Sequence, residues 1–321
     1  MQMARRRSRS GQRAIVTVLS TTAVSSIRHP LPPQRADRTM NIDLELVASG
    51  YGLVEGPRTD ADGALWFSDI PGGTVSRVDP DGHIEVAVTD RTYIGGLAPH
   101  ADGGLIMSGP SVAHWKDGHF RVLLEREGSP HYNDLHPDAQ GRIYVGVVLG
   151  EIKHVREHPD PMGEAYRIEL DGSITRLYGD VGISNGFGLS PDGRTLYHVD
   201  SSSCGIWVHD IDTAGNLSGR RHIGAQTFSE GIPDGLCVDT QGNLWVAHFL
   251  GGRVAILDPQ GELLDELTIP ARLVTSCAFG GPDWGDLYVV SADNTDDKSL
   301  GGCVWRCRPG ATGLPTPLAR V

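Results

Sequence analysis

The sequence predicts an all-β fold, a six-bladed β-propeller, and three observations carry that prediction. The first is a recurrent turn-then-strand unit of the form Asp/Gln-Gly-x-apolar-aromatic. It occurs as DADGALWFSD, HADGGLIMSG, DAQGRIYVG, SPDGRTLYHVD, DTQGNLWVAH and, in the variant PDWGDLYVVS, a sixth time. The second is its spacing. The landmarks Trp66, Ile106, Tyr144, Tyr197, Trp245 and Tyr288 follow one another at 40, 38, 53, 48 and 43 residues. Short strands at a period of about 40–50 residues are the pattern of propeller blades, each a four-stranded sheet. The third is what is missing: no amphipathic helical stretch of useful length separates the units, so an alternating α/β fold is not supported.

Each element follows from that repeat. A second hairpin in most blades is marked by Asp81-Gly82, Asp117-Gly118, Asp171-Gly172 and Gln260-Gly261. A ring of blades must close, since an open last sheet exposes an unpaired edge. The strand around Asp43–Ala48 is therefore expected to complete the sheet that contains Gly302–Arg308. Residues 41–321 read as one propeller domain. Residues 1–40 read as a non-structural leader or a mis-called N-terminal extension, with Met40 opening the folded sequence. They hold eight Arg and one Asp, and a weak apolar run diluted by Ser and Thr. Three readings fit this head: a twin-arginine export signal, a transit-like leader, or a start placed too far upstream. The location expected is cytoplasmic, with export as the alternative.

Composition narrows the function. The chain carries a net charge of −12, and residues 1–40 carry +7 of positive charge, which leaves −19 on the body. So acidic a body is a poor partner for nucleic acid or an anionic membrane, and neither is expected. No run of 18 apolar residues occurs. The five cysteines (204, 237, 277, 303 and 307) form no disulfide framework. Cys303 and Cys307 lie four apart in what reads as a strand, about 13 Å at strand rise, too far to bridge. They are expected as buried free thiols, and Trp66, Trp207, Trp245 and Trp305 as packing between blades. Gly95-Gly96 and Gly280-Gly281 lack the strand–loop–helix context of a phosphate loop, and no G-x-S-x-G nucleophile elbow occurs.

The repeat also aligns a set of polar residues. Eleven or twelve positions before the landmarks stand Glu55, Gly95, Asn133, Asn185, Asp234 and Ser276. In a propeller, equivalent positions lie on a circle about the axis. Glu55, Asn133, Asn185 and Asp234, just ahead of the innermost strands, should therefore meet at one mouth of the central channel. Asp-Gly and Asn-Gly are also ordinary turn dipeptides, and Asp234 alone would carry little. Four acidic or amide side chains at one phase carry more. Facing oxygens of this kind suit a hard divalent cation: Ca²⁺ first, with Mg²⁺, Mn²⁺ and Zn²⁺ as alternatives. So few protein ligands would leave positions open for water and substrate.

At these residues the sequence resembles the SMP-30/gluconolactonase/luciferin-regenerating-enzyme family, from about Leu46 to about Ala292. The motifs are EGP at 55–57, ALWFSDI at 64–70, NDLHPDAQGRIYVG at 133–146, SNGFGLSPDGRTLYHVD at 184–200, PDGLCVDTQGNLWVA at 234–247 and TSCAFGGPDWGDLYVVSA at 275–292. The resemblance implies a six-bladed propeller in which Glu55, Asn185 and Asp234 hold one divalent cation. Asn133 would sit beside it and help hold substrate. Family members that hydrolyse sugar lactones often read Arg-x-Asn-Asp where this chain has His131-Tyr132-Asn133-Asp134, a departure that bears on the substrate. The function expected is metal-dependent hydrolysis of a small lactone or related ester, with Asp234 and Asn133 catalytic. His131 then acts as a substrate contact or proton shuttle, or is a solvated loop residue. The alternative is a non-catalytic calcium-binding propeller that binds a ligand or protein. The insertion EIKHVREHPDPMGE, with His154 and His158, is either a loop over the channel mouth or a solvated loop, and Glu164 at its end is not assigned to the metal.

Overall fold

The computed structural model describes residues 39–128, 131–149 and 163–321. The head to residue 38, and with it the leader and export readings, lies outside them, as do His154 and His158. The rest is a ring of six four-stranded antiparallel blades. Their innermost strands are Val54–Thr59, Leu97–Pro99, His131–Pro137, Ser184–Leu189, Ile232–Val238 and Val274–Gly280. Each packs on the next, and the sixth packs on the first. All six landmark residues fall on the second strand of their blade. Trp66, for example, pairs with Arg58, and Trp245 with Cys237. The only helix among the described residues is a single turn at Lys298–Leu300. None is long and apolar enough to cross a membrane.

Closure occurs as the edge argument requires. Glu45–Tyr51 pairs antiparallel with Gly302–Cys307, so the N-terminal strand is the outer strand of blade six. Thr39 and Met40 add a short strand, parallel to Glu266 and Leu267, on the rim of blade five. Apolar side chains fill the space between blades. Trp245 and Trp305 share one cluster with Val254, Phe279 and Leu287 across blades five and six. Trp66 packs against the cluster of Leu97, Leu105 and Met107 from blade two. Trp207 is half-buried under the Arg220 guanidinium, 4.0 Å from its ring centre. All five cysteines are free, three of them buried and Cys204 and Cys237 half-buried.

Polar contacts stitch the innermost strands together. Thr275 Oγ1 donates to the Val54 carbonyl (2.6 Å), Ser68 Oγ to Ile94 (2.6 Å), and Ser201 Oγ to Pro233 (2.7 Å). Blades two and three exchange backbone bonds between Gly109 and Tyr132. At the turn end of these strands the C-terminal tail runs beneath the ring. It bridges Asp239 through Gly313 and His100 through Ala319, and the Val321 carbonyl accepts from Arg121 at 2.9 Å. Residues 314–317 of this tail help line a cavity of about 340 Å³, together with Arg58, His136, Cys237 and Phe279.

Candidate metal and active site

Five of the six aligned positions lie inside the innermost strands rather than just ahead of them, Gly95 alone preceding its strand, and a shared irregularity explains why the polar ones face the channel. Strand pairing slips between Glu55 and Arg58, Tyr132 and Leu135, Ser184 and Phe187, and Pro233 and Leu236. A β-bulge at one phase releases one or two residues from the ladder and re-aims their side chains. Asn133, Asn185 and Asp234 are the released residues, and Glu55 is the last paired one before its bulge. Pro57 and Pro233 fit here because a residue at a bulge or strand edge need not donate to the ladder.

The structure brings these residues together. Asn133 Nδ2 donates to Asn185 Oδ1 and to the Ser184 carbonyl, both at 2.8 Å. Asn185 Nδ2 donates to Ser201 Oγ at 2.9 Å. Both amides are thereby fixed with their donors engaged, while each carbonyl oxygen keeps lone-pair capacity. Asn133 Oδ1 lies against Gly95, where an added Cβ would come within 2.2 Å of it. Blade two thus supplies no side chain at this phase, because Asn133 occupies the room.

Glu55 is half-buried and Asp234 only 8% exposed. Burial first, then the charge of Asp234, then that of Asp134, pushes the Glu55 carboxyl well above the usual carboxylate range. Asp234 is pushed up in the same way, by burial and by Asp134. Among the described residues neither carboxylate forms an ion pair, and the Arg58 charge, engaged by Asp134, only partly opposes the rise of Glu55. Two ionised carboxylates in such a place are unfavourable without a cation, and a cation reverses that cost.

Two residues that sequence reasoning did not assign stand beneath this pair. Arg58 of blade one reaches blade three, donating to Asp134 Oδ1 at 3.0 Å and to the Leu135 carbonyl at 3.1 Å. Both side chains are nearly inaccessible to solvent. Burial raises the Asp134 carboxyl even so, with Arg58 opposing. Three carboxylates against one guanidinium leave a formal charge of −2, the complement of a divalent ion. The sequence signals for Asp134 were its place beside an aligned residue and its match to the last position of the Arg-x-Asn-Asp motif.

The donor chemistry therefore fits a hard cation. Glu55, Asp234 and the Asn185 carbonyl oxygen present only oxygen, as calcium prefers. Among the described residues no three His, Cys, Asp or Glu side chains are arranged to hold a metal, so a cation held here would take its third protein ligand from an amide. Glu164 is engaged elsewhere, with Arg126, Tyr166 and, at 3.0 Å, Arg176. His131 opens a strand rather than lying in a loop. It stacks on Tyr93 of blade two, ring centres 5.3 Å apart and planes 16° from parallel, and burial lowers its pKa.

The SMP-30/gluconolactonase/LRE-like family model matches residues 53–293. The chain belongs to this family. It is 34% identical to a regucalcin from Xenopus laevis over 283 residues, covering 85% of this chain and 93% of the relative. A pentonolactonase from Haloferax volcanii is 31% identical, covering 84% and 95%. Among solved structures, a luciferin-regenerating enzyme superposes with a TM-score of 0.79 at 27% identity, covering 88% of this chain and all of that one. The family's ring of six blades is the fold described above.

Proposed function

We propose that this protein is a divalent-cation-dependent hydrolase of a small lactone or related ester. Glu55, Asn185 and Asp234 hold the ion, Asn133 and His131 contact substrate, and calcium is the ion the oxygen set favours. One observation carries the reading. Two carboxylates 179 residues apart in sequence are set against each other at the buried mouth, and among the described residues no cationic side chain forms an ion pair with either. The family's lactonase members, among them the pentonolactonase relative, support the reaction class.

A bound divalent ion polarises a carbonyl and acidifies bound water. The chain's own residues supply orientation and proton handling. With its amide nitrogen engaged by Asn185 and Ser184, Asn133 offers its carbonyl oxygen, which accepts a hydrogen bond from the attacking water or a substrate hydroxyl. In this reading Asp234 takes the proton from that water as its oxygen attacks the acyl carbon. The ring C–O bond then breaks, and the proton passes to the leaving alkoxide. Arg58 holds Asp134 and the bulge of blade three in place, and so fixes Asn133.

The test is hydrolysis of a panel of aldonolactones and alkyl lactones before chelation, after chelation, and after calcium is restored. Turnover should fall by at least about a hundredfold on chelation and return with the ion. Unchanged turnover after complete removal of the metal overturns the cation's role. Calcium binding without turnover on any lactone or ester would leave the propeller as a cation-binding module.

A further inference from the structure

We propose that Tyr93, stacked on His131, forms the specificity wall of this site and selects lactones that present an apolar face or hydrocarbon substituent, rather than polyhydroxylated ones. The inference rests on the hydrolase reading and names its substrate class. Tyr93 is 51% exposed. Its backbone stands at φ 59, a conformation that bulky residues rarely adopt. Such conformations persist only where the surroundings over-determine them, and they cluster at binding sites.

The surroundings here do so. Two residues before Tyr93, the buried Arg91 guanidinium donates to the carbonyls of Ser108 (3.1 Å) and Ser111 (2.6 Å). One residue after it, Ile94 is fully buried and its carbonyl accepts from Ser68 Oγ. Next, the Gly95 and Gly96 N–H groups both donate to Ser108 Oγ, at 3.1 and 2.8 Å. The chain is pinned on both sides of an aromatic ring that itself stays in the open.

These anchors also decide what the wall can recognise. A polyhydroxylated ring needs several donors and acceptors. On this side of the mouth the Gly95 and Gly96 amides are engaged by Ser108, and Arg91 is turned to backbone carbonyls. Among the described residues this side then offers the Tyr93 face and its hydroxyl, the two ring nitrogens of His131 and, beside them, the exposed Thr92. A flat aromatic face with few polar atoms favours C–H and hydrocarbon surface. The wall adjoins the reacting site, since His131 lies two residues from Asn133, whose amide oxygen rests against Gly95.

The experiment compares two lactones of equal ring size, δ-decalactone and D-glucono-δ-lactone, in calcium-containing buffer. The wild-type protein is expected to favour the alkyl lactone in kcat/KM by about tenfold or more. Tyr93→Ala should raise KM for that lactone about tenfold with kcat held within about twofold, the size of one lost aromatic face. Tyr93→Phe, which keeps the ring, should restore KM, and His131→Arg, which adds donors, should narrow the preference. A wild-type preference for gluconolactone, or an equal loss on both lactones in Tyr93→Ala, overturns the wall. If neither lactone is turned over, calorimetric binding of the corresponding alkyl lactam decides. Weaker binding to Tyr93→Ala than to wild type keeps the wall while the hydrolase reading falls, and equal or absent binding overturns the wall as well.

Discussion

Asp234 and Asp239 lie five residues apart, one near the start of the first strand of blade five and one just past its end. A strand of that length spans about 16 Å, so they stand at opposite ends of the ring wall. Asp239 Oδ1 accepts from the Gln241 and Asn243 N–H groups, both at 2.9 Å, and Oδ2 accepts from Asn243 Nδ2 and Trp245 Nε1. Every lone pair the turn can use is engaged there. Asp234 sits at a bulge, is buried, and faces Glu55 and Asp134 instead of N–H groups. The same residue type thus does two jobs. A carboxylate ringed by donors shapes a turn, and one buried against other carboxylates is costly to ionise unless a cation offsets it.

The largest expected effect separates them by activity. Asp234→Asn should lower lactone turnover by at least about a hundredfold, because a change of ligand should exceed the 10–100-fold cost of altering a ligand's outer partners. Metal-free stability should hold or rise, since burial and neighbouring charge already penalise this carboxylate. Calcium titration by calorimetry and a melting curve in chelator check both halves. Full turnover with unchanged calcium affinity would remove Asp234 from the site. The smaller effect runs the other way. Asp239→Ala leaves the Trp245 indole N–H and two turn amides without their acceptor, which should cost about 2 kcal/mol. Urea unfolding measures it, while turnover per folded molecule should stay near wild type.

How far this contrast could be read from sequence follows from the physics of each feature. The propeller was legible because turn chemistry and an aromatic landmark recur at one period, and all six landmarks fall on second strands. The convergence of Glu55, Asn133, Asn185 and Asp234 was legible because rotational repetition turns sequence phase into spatial position. The bulge was not. A slip in pairing depends on what the neighbouring strand offers, so the residues were expected ahead of the strand and are found within it. Nor was the Arg58–Asp134 pair, which joins non-adjacent blades, a contact no repeat encodes. Tyr93 left a faint trace only, an aromatic just before Gly95-Gly96 in the blade that lacks a polar residue at the shared phase. The tail after Cys307 shows no alternation, and its path under the ring is set by backbone bonds.

The contrast extends to histidine, with the smallest expected effect. His198 is fully buried, with Nε2 bonded to Ser184 Oγ and Nδ1 to Tyr178 Oη, each at 2.7 Å, and Phe187 stacked on its ring. Like Asp239 it is satisfied by its neighbours, whereas His131 is half-buried with its ring stacked on Tyr93. Burial holds the His198 imidazole down at about 3, and His136 likewise at about 3. Below pH 6.5 the unfolded chain takes up protons at these positions while the native state does not. The stability they contribute is therefore complete above pH 6.5 and is lost as pH falls towards 3, at up to about 1.4 kcal/mol per pH unit for each imidazole. Urea unfolding of the wild type between pH 7 and pH 4 should show that decline. In His198→Asn stability at pH 7 should drop by about 1 kcal/mol, from the lost bond, and the acid slope should become shallower by about one proton. An unchanged slope would mean that His198 already carries its proton in the native state, and the division between satisfied and waiting polar groups would then fail for histidine while standing for aspartate.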